Sequence, residues 1–184
     1  MLANYLTFNR FITRIAPQFI ELATKFENER RDRSQRSERC VTSCLMKGDA
    51  NPAERFCQLA ARYYKYRSVC VDCSRPGAVA AAVKATYREQ VSLVFSNAHK
   101  LSLNDAVVIE RALSGRDKEF SIAVALMFFL VGGTQYDAIP YNLLSIKGRS
   151  EVFTFPAVAD SDASVFQQSS STTSSAPALS ELTT

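Results

Sequence analysis

Apolar residues recur every three or four positions through much of the chain, a spacing that indicates amphipathic helices. The first such face is formed by Leu6, Phe8, Phe11, Ile12 and Ile15. Pro17 interrupts it and suits the first turn of a second helix, because a proline inside a helix costs about 3 kcal/mol. The stretch 27–36 that ends this second helix has almost nothing to bury, so it predicts an exposed helix end or a loop.

The same period predicts several further helices. They cover a short face around 41–45 that ends at Lys47-Gly48, then 52–66, 76–98, 104–115 and 117–131. The many tyrosines of 52–66 would also suit a strand, so both interpretations stay open there. Residues 152–155 predict a short strand that Pro156 ends. We therefore expect a mainly α-helical body, most simply a helix bundle, with a small strand element.

The composition changes after residue 156. Residues 161–184 consist mostly of Ser, Thr and Ala, and no Lys or Arg follows Arg149. Such a segment buries too little apolar surface to offset the entropy of ordering its chain. The expected organisation is a helical domain over 1–156 and a disordered tail over 157–184.

The 184 residues suffice for one sizeable core, and the net charge of +4 is unevenly placed. Residues 1–68 hold 13 basic and 7 acidic residues, whereas 151–184 hold 4 acidic and no basic residues. This basic front suggests a polyanionic partner. There is no run of about 18 apolar residues for a membrane span and no secretory signal pattern, so the cysteines are expected to be reduced thiols.

The five cysteines permit one metal-site hypothesis. Cys40 and Cys44 lie four positions apart, and Cys70 and Cys73 form a Cys-x-x-Cys pair. Four thiolates of this kind can hold Zn²⁺ in a tetrahedral site. The alternative is that the cysteines are small hydrophobic core residues, and no metal or other cofactor is our first expectation.

Signals for catalysis are weak in this sequence. His99 is the only histidine and is expected to be exposed beside Lys100, without a nucleophile motif around any Ser or Cys. Gly132-Gly133 lacks the spacing of a phosphate-binding loop and suits a helix end. The sequence therefore predicts a protein that is not an enzyme.

The basic residues carry more information. Arg62, Lys65 and Arg67 alternate with tyrosines over 62–67, a pattern that combines phosphate contact with base stacking. Arg88 lies on the predicted helix 76–98, and Arg116-Asp117 begins the apolar helix, where backbone N–H groups favour an anion. These six residues are the predicted RNA-binding set.

The order of several short motifs resembles the rod-forming coat proteins of tobamovirus-like plant viruses. The matching pieces are Phe8 and Phe11 before Pro17, Phe19-Ile20-Glu21-Leu22, Arg55-Phe56, Tyr63-Tyr64-Lys65-Tyr66-Arg67, Asp72, Tyr87-Arg88, Arg116-Asp117, Gly133-Thr134, Tyr136, Tyr141, Phe153-Thr154 and the Ser/Thr-rich tail. The resemblance spans roughly residues 8–155. The chain departs from the family in having no tryptophan and in its five cysteines.

This resemblance implies an antiparallel four-helix bundle that assembles with further copies into a helical rod around single-stranded RNA. It implies that Arg88, Arg116 and Asp117 line the RNA groove, and that the protein resides in the virion and the host cytoplasm. Two other interpretations stay open: a small RNA-binding regulator resembling silencing suppressors, with or without a zinc staple, and an enzyme or adaptor without a nucleic-acid role.

Overall fold

The computed structural model describes residues 2–36, 40–86, 89–114, 124–132 and 150–155. Its described part is an α/β structure in which a five-stranded parallel sheet lies between two layers of helices. The expected all-helical bundle is therefore wrong. Among the described helices, none has both the length and the apolar character needed to cross a bilayer.

The described residues form five α-helices and five strands. In chain order they are α1 (Leu2–Ile15), α2 (Ile20–Arg36), β1 (Cys40–Gly48), α3 (Ala50–Tyr64), β2 (Arg67–Asp72), α4 (Ala78–Thr86), β3 (Gln90–Ser96), α5 (Leu103–Ser114), β4 (Val124–Val131) and β5 (Glu151–Phe155). Short 3₁₀ turns precede α2 at Pro17–Phe19 and follow β3 at Ala98–Lys100.

The strands are arranged in the order β2-β3-β4-β1-β5, and every neighbouring pair is parallel. Because parallel strands need crossover connections, helices separate β1 from β2, β2 from β3 and β3 from β4. The register aligns Cys70 of β2, Val94 of β3, Phe128 of β4 and Cys44 of β1 in one row. Equivalent positions of the strands therefore face the same helix layer.

The two faces of the sheet have different cores. One face packs α4 and α5 over aliphatic residues such as Val91 and Leu93, with Phe95 stacked on Phe129 at a centroid distance of 4.9 Å. The other face packs α1, α2 and α3 over a cluster that is rich in phenylalanine. Phe56 of α3 lies at its centre and contacts the rings of Phe8, Phe19, Phe26, Phe153 and Phe155.

Three strands lie where helices were predicted. The face around 41–45 is β1, the second half of the predicted helix 76–98 is β3, and the apolar segment 117–131 contains β4. Each of these strands is buried on both faces, so no exposed polar face marks the two-residue period of a half-exposed strand. The polar Thr42 and Ser43 of β1 are themselves fully buried. Periodicity alone does not separate such a strand from a buried helix.

Other elements agree with the predictions. The break at Pro17, the helical alternative for 52–66, the helix near 104–115 and the strand at 152–155 are confirmed. Residues 27–36 do end a helix, but Glu27 at its start is buried and not exposed as predicted. Gly48 ends a strand and not a helix. The tail 157–184 lies outside the described residues, so its predicted disorder stays a prediction.

Candidate functional site

A pocket of about 430 Å³ opens at the carboxyl ends of the central strands. Its lining comes from β1, β3, β4, the 3₁₀ turn after β3 and the first turns of α3: Met46, Gly48, Ala50, Ala53, Glu54, Ser96, Asn97, His99, Leu130, Val131 and Gly132. Its volume falls in the range of small-molecule sites. In open parallel sheets, ligands bind at this edge.

The topology explains why a crevice forms at this point. Strands β1 and β3 flank β4, and the helices that follow them, α3 and α5, lie on opposite faces of the sheet. The chain therefore leaves the sheet in opposite directions on either side of β4. Ligand pockets of doubly wound sheets form where the connections diverge in this way.

Asp49 is the single residue between β1 and α3, and it caps the helix. Its carboxylate accepts a hydrogen bond from the backbone N–H of Asn51 at 3.0 Å. The third helical position is Pro52, which has no N–H, and the N–H of Ala53 donates to the Asp49 carbonyl at 3.4 Å. The N–H groups of Asn51 and Ala53 are thus both used within the chain, and Pro52 offers none.

Gly48 is required here by packing. Its φ is 122°, and a Cβ at this position would come within 2.2 Å of the carbonyl oxygen of Phe155 on the neighbouring strand β5. A glycine beside a helix start usually suggests a backbone that cradles phosphate. The close approach of β5 accounts for this glycine without any ligand.

The polar side chains of the pocket offer mainly hydrogen-bond acceptors. Glu54 contributes a carboxylate one turn into α3, and His99 lies on the turn after β3. His99 Nδ1 is buried and has no hydrogen-bond partner in the described part of the chain. Neither Lys nor Arg is among the described residues that line the pocket. The site therefore disfavours anions and suits a ligand that donates hydrogen bonds.

A hydrogen-bond network fixes the rim of the pocket beside β2. Asn97 has a left-handed backbone with φ of 52°, and its Nδ2 donates to Asp72 at 3.0 Å. This bond, followed by those from the Ser74 N–H and hydroxyl, lowers the pKa of Asp72 to about 2. Asp72 thus stays ionised and ties the carboxyl ends of β2 and β3 together.

The predicted RNA-binding residues are only partly brought together. Arg62 and Lys65 are exposed at the carboxyl end of α3, far along the helix from the pocket. Arg67 is held by Glu89, with two guanidinium nitrogens 2.7 Å from the same carboxylate oxygen. Arg88, Arg116 and Asp117 lie outside the described residues.

The proposed zinc ligands do not meet. Cys44 and Cys70 lie in one row but with β3 and β4 between them, about 14 Å apart at the ~4.8 Å spacing of strands. Cys73 packs in the core on the opposite face from Cys44, and Cys40 begins β1. No cluster of three or more His, Cys, Asp or Glu residues with metal-site geometry occurs among the described residues.

Three of the four described thiols, those of Cys44, Cys57 and Cys73, are buried in the core, whereas that of Cys70 is exposed on β2. Cys44, Cys57, Cys70 and Cys73 form no disulfide, as expected for reduced cysteines. Burial raises the pKa of Cys57 and that of Cys73, the latter to about 12. Burial, and then the charge of Glu54, raises the pKa of Cys70. Protonated thiols of this kind are poor nucleophiles and poor metal ligands.

Sequence reasoning missed the pocket itself. His99 was expected to be exposed, but its ring lines the pocket with Nδ1 buried. Ser96 and Asn97 could have indicated the pocket, because polar residues that directly follow a buried strand mark the ligand edge of a parallel sheet. The sequence pattern predicts a helix over 91–95, so these two residues were not recognised as the end of a strand.

Comparisons with known proteins agree with this architecture. No family model and no curated protein matches the sequence. Solved structures of Thermotoga maritima RuvB do match: a lysine-to-arginine mutant with a TM-score of 0.60 at 11% identity, over 82% of this chain and 50% of that chain. A threonine-to-valine mutant matches with a TM-score of 0.57 at 12% identity, over 80% and 48%. A proline-to-glycine mutant matches with 0.58 at 11%, over 76% and 46%.

These similarities show the fold alone: the chain has the parallel α/β fold of the RuvB chains it matches. The chain spans about half the length of the RuvB chains it matches. Because a fold does not by itself determine an activity, the prediction that the chain is not an enzyme stays a prediction. Whether its own site suits a nucleotide depends on the residues described above.

The expected viral coat protein is wrong, and so are the capsid function and the four-helix bundle. The matching motifs were each a few residues long, and a parallel sheet with its helices places them differently from a bundle. The alternative of a silencing-suppressor-like regulator is not supported either. The expected partners, single-stranded RNA and further copies of the chain, and the expected location stay predictions.

Proposed function

We propose that this chain is a ligand-binding domain with an AAA+-type core that does not hydrolyse nucleoside triphosphates. Its carboxyl-end pocket takes a small, uncharged or cationic molecule that donates hydrogen bonds. The pocket lies at the ligand edge of the sheet, and its volume of about 430 Å³ suits a molecule the size of a nucleoside.

The decisive observation is the carboxylate of Asp49 at the start of α3. Folds that bind nucleoside triphosphates use a glycine-rich loop at this point, with free N–H groups and a lysine around the phosphates. In this chain one residue forms the whole connection, and its side chain accepts the N–H of Asn51. A phosphate at this site would meet the charge of Asp49 and then that of Glu54.

The polar lining supports a ligand with donor groups. Glu54 accepts hydrogen bonds, and the buried His99 Nδ1 has no partner among the described residues, so it is available to a ligand. An unpaired polar atom in a buried site costs about 1–3 kcal/mol, so a ligand that pairs with it gains that free energy. Met46, Leu130 and Val131 supply the apolar surface against which such a ligand would pack.

Thermal unfolding of the purified chain with different additives tests this proposal. We expect Mg-ATP to leave the melting temperature unchanged and the rate of phosphate release to stay at that of buffer. A nucleoside or an alkyl diamine, each at millimolar concentration, should raise the melting temperature by a few degrees, because a ligand that binds only the folded state stabilises it.

Glu54→Gln is the matching variant, and Glu21→Gln, on the exposed surface of α2, is its control. Loss of the stabilisation in Glu54→Gln, with retention in Glu21→Gln, supports the proposed pocket. Stabilisation by Mg-ATP, or phosphate release above background, would refute the proposal. So would the failure of every nucleoside and amine in the panel.

A further inference from the structure

Four aromatic side chains form a continuous ladder at the opposite end of the molecule from the pocket. Ring centroids are 5.4 Å apart for Phe11 and Tyr63, 4.9 Å for Tyr63 and Tyr64, and 5.9 Å for Tyr64 and Tyr66. All four residues are half-buried, so each is anchored in the core and still reaches the surface. The guanidinium of Arg30 covers the Tyr64 ring at 4.4 Å.

Exposed cations border this ladder. Arg62 and Lys65 flank the tyrosines at the end of α3, and Arg14 follows Phe11 by three positions on α1, which places both on one side of that helix. None of these three forms an ion pair with another described residue. We name Phe11, Arg14, Arg62, Tyr63, Lys65 and Tyr66 the aromatic–basic surface.

Arg67 lies in the same segment but, unlike these three residues, forms an ion pair within the protein. Its guanidinium is held by Glu89 across the start of β2 and β3. A basic residue at the carboxyl end of a helix interacts favourably with the helix dipole. This role accounts for Arg62 in the last turn of α3. It does not explain a row of half-exposed rings, which a helix end does not need.

We propose that the aromatic–basic surface binds single-stranded nucleic acid. Unpaired bases stack on aromatic rings, and Arg or Lys beside those rings contacts the phosphates of the same strand. Duplexes keep their bases stacked inside, so they present no unpaired base to the rings. This surface is independent of the pocket, because it lies at the other end of α3.

Fluorescence anisotropy with labelled 12-mers of uridine and of thymidine, at two salt concentrations, tests the surface in the full chain. The double variant Arg62→Ala/Lys65→Ala should bind at least tenfold more weakly. Its log affinity should also depend less on log salt, by roughly 1.4, because each phosphate contact contributes about 0.7 on single strands. Tyr66→Leu should weaken binding about fivefold or more without changing the salt slope.

Arg67→Ala is the matched control, since it removes one cation from the same segment. It should reduce affinity less than either single substitution, Arg62→Ala or Lys65→Ala. Circular-dichroism melts of every variant separate lost binding from lost folding. Preference for uridine over thymidine oligomers would assign the strand as RNA, and the reverse as DNA.

Three outcomes would overturn the proposal. They are equal losses in Arg67→Ala and in the double variant, no effect of Tyr66→Leu in a folded protein, and tighter binding to vesicles rich in anionic lipid than to either oligomer. The pocket experiments use nucleosides and amines with Glu54 variants, so failure of one proposal leaves the other standing.

Discussion

The two ends of α3 carry opposite charges. Asp49 caps its amino end and Glu54 lies one turn in, whereas Arg62 lies in its last turn and Lys65 directly follows it. Each charge complements the helix dipole, which is positive at the amino end and negative at the carboxyl end. A helix that binds phosphate at its amino end must leave that end uncapped. In this chain the amino end is closed to anions, and the exposed cations lie about 20 Å away along the helix.

The opposite charges at the two ends of α3 show how little a shared fold says about ligands. The parallel α/β core is shared with the RuvB chains, whereas phosphate binding depends on a few residues at the start of one helix. In this chain, those residues are used for capping and for packing against β5. Substitutions at the amino end and at the carboxyl end of α3 test the roles of the two ends separately.

The largest effect is expected from Gly48→Ala at the amino end of α3. An added Cβ would meet the Phe155 carbonyl and force a residue with a side chain into φ of 122°. We expect a loss of about 3 kcal/mol in the free energy of unfolding, measured by denaturant titration. Gly77→Ala is the control, because φ is also positive there, at 76°, but nothing lies within 4 Å. Equal losses in both would mean that β5 does not require this glycine.

Glu27 of α2 tests the environment near the carboxyl end of α3, because its neighbour Arg30 stacks on Tyr64 there. Burial raises the pKa of Glu27 to about 7, and the charge of Arg30 partly offsets this. The folded state therefore binds a proton more tightly than the unfolded state, and stability falls as pH rises from about 4.5 to 7. Glu27→Gln should abolish this decrease and gain about 2 kcal/mol at pH 8. Parallel stability curves for both proteins would contradict it.

Asp49→Ala removes the cap at the amino end. We expect a loss of about 1 kcal/mol, which corresponds to roughly 2–4 °C in melting temperature. Asp49→Asn should retain most of the stability, because an amide oxygen still accepts the N–H of Asn51. Neither variant should gain affinity for ATP, since the one-residue connection leaves no glycine-rich loop and no Lys or Arg is among the described residues that line the pocket. ATP binding by Asp49→Asn would show that charge alone closes the site.

The smallest effect is expected from Lys65→Gly at the carboxyl end. Lys65 adopts the left-handed conformation with φ of 59°, and its N–H donates to the carbonyls of Ala61 and Arg62. Glycine relieves the strain of this conformation and should raise stability by up to about 1 kcal/mol. The same substitution should weaken oligonucleotide binding, because it removes a cation. Opposite changes in melting temperature and anisotropy distinguish a binding role from a structural one.

The sequence determined the features that depend on neighbours along the chain. The break at Pro17, the helix α3 and the strand β5 follow from local propensity and from apolar faces that lie opposite a polar, solvent-exposed face. The alternation of cations and tyrosines over 62–67 was equally visible, and Arg62 and Lys65 are exposed beside their tyrosines.

Tertiary structure decided the rest. β1, β3 and β4 are buried on both faces, so no polar side marked their period, and their hydrogen-bond partners lie tens of residues away. The pairing of Arg67 with Glu89, the separation of Cys44 from Cys70 and the meeting of Glu54 with His99 in one pocket all depend on this pairing. Contacts between residues distant in sequence leave no local pattern, because they arise only once the strands have found their order.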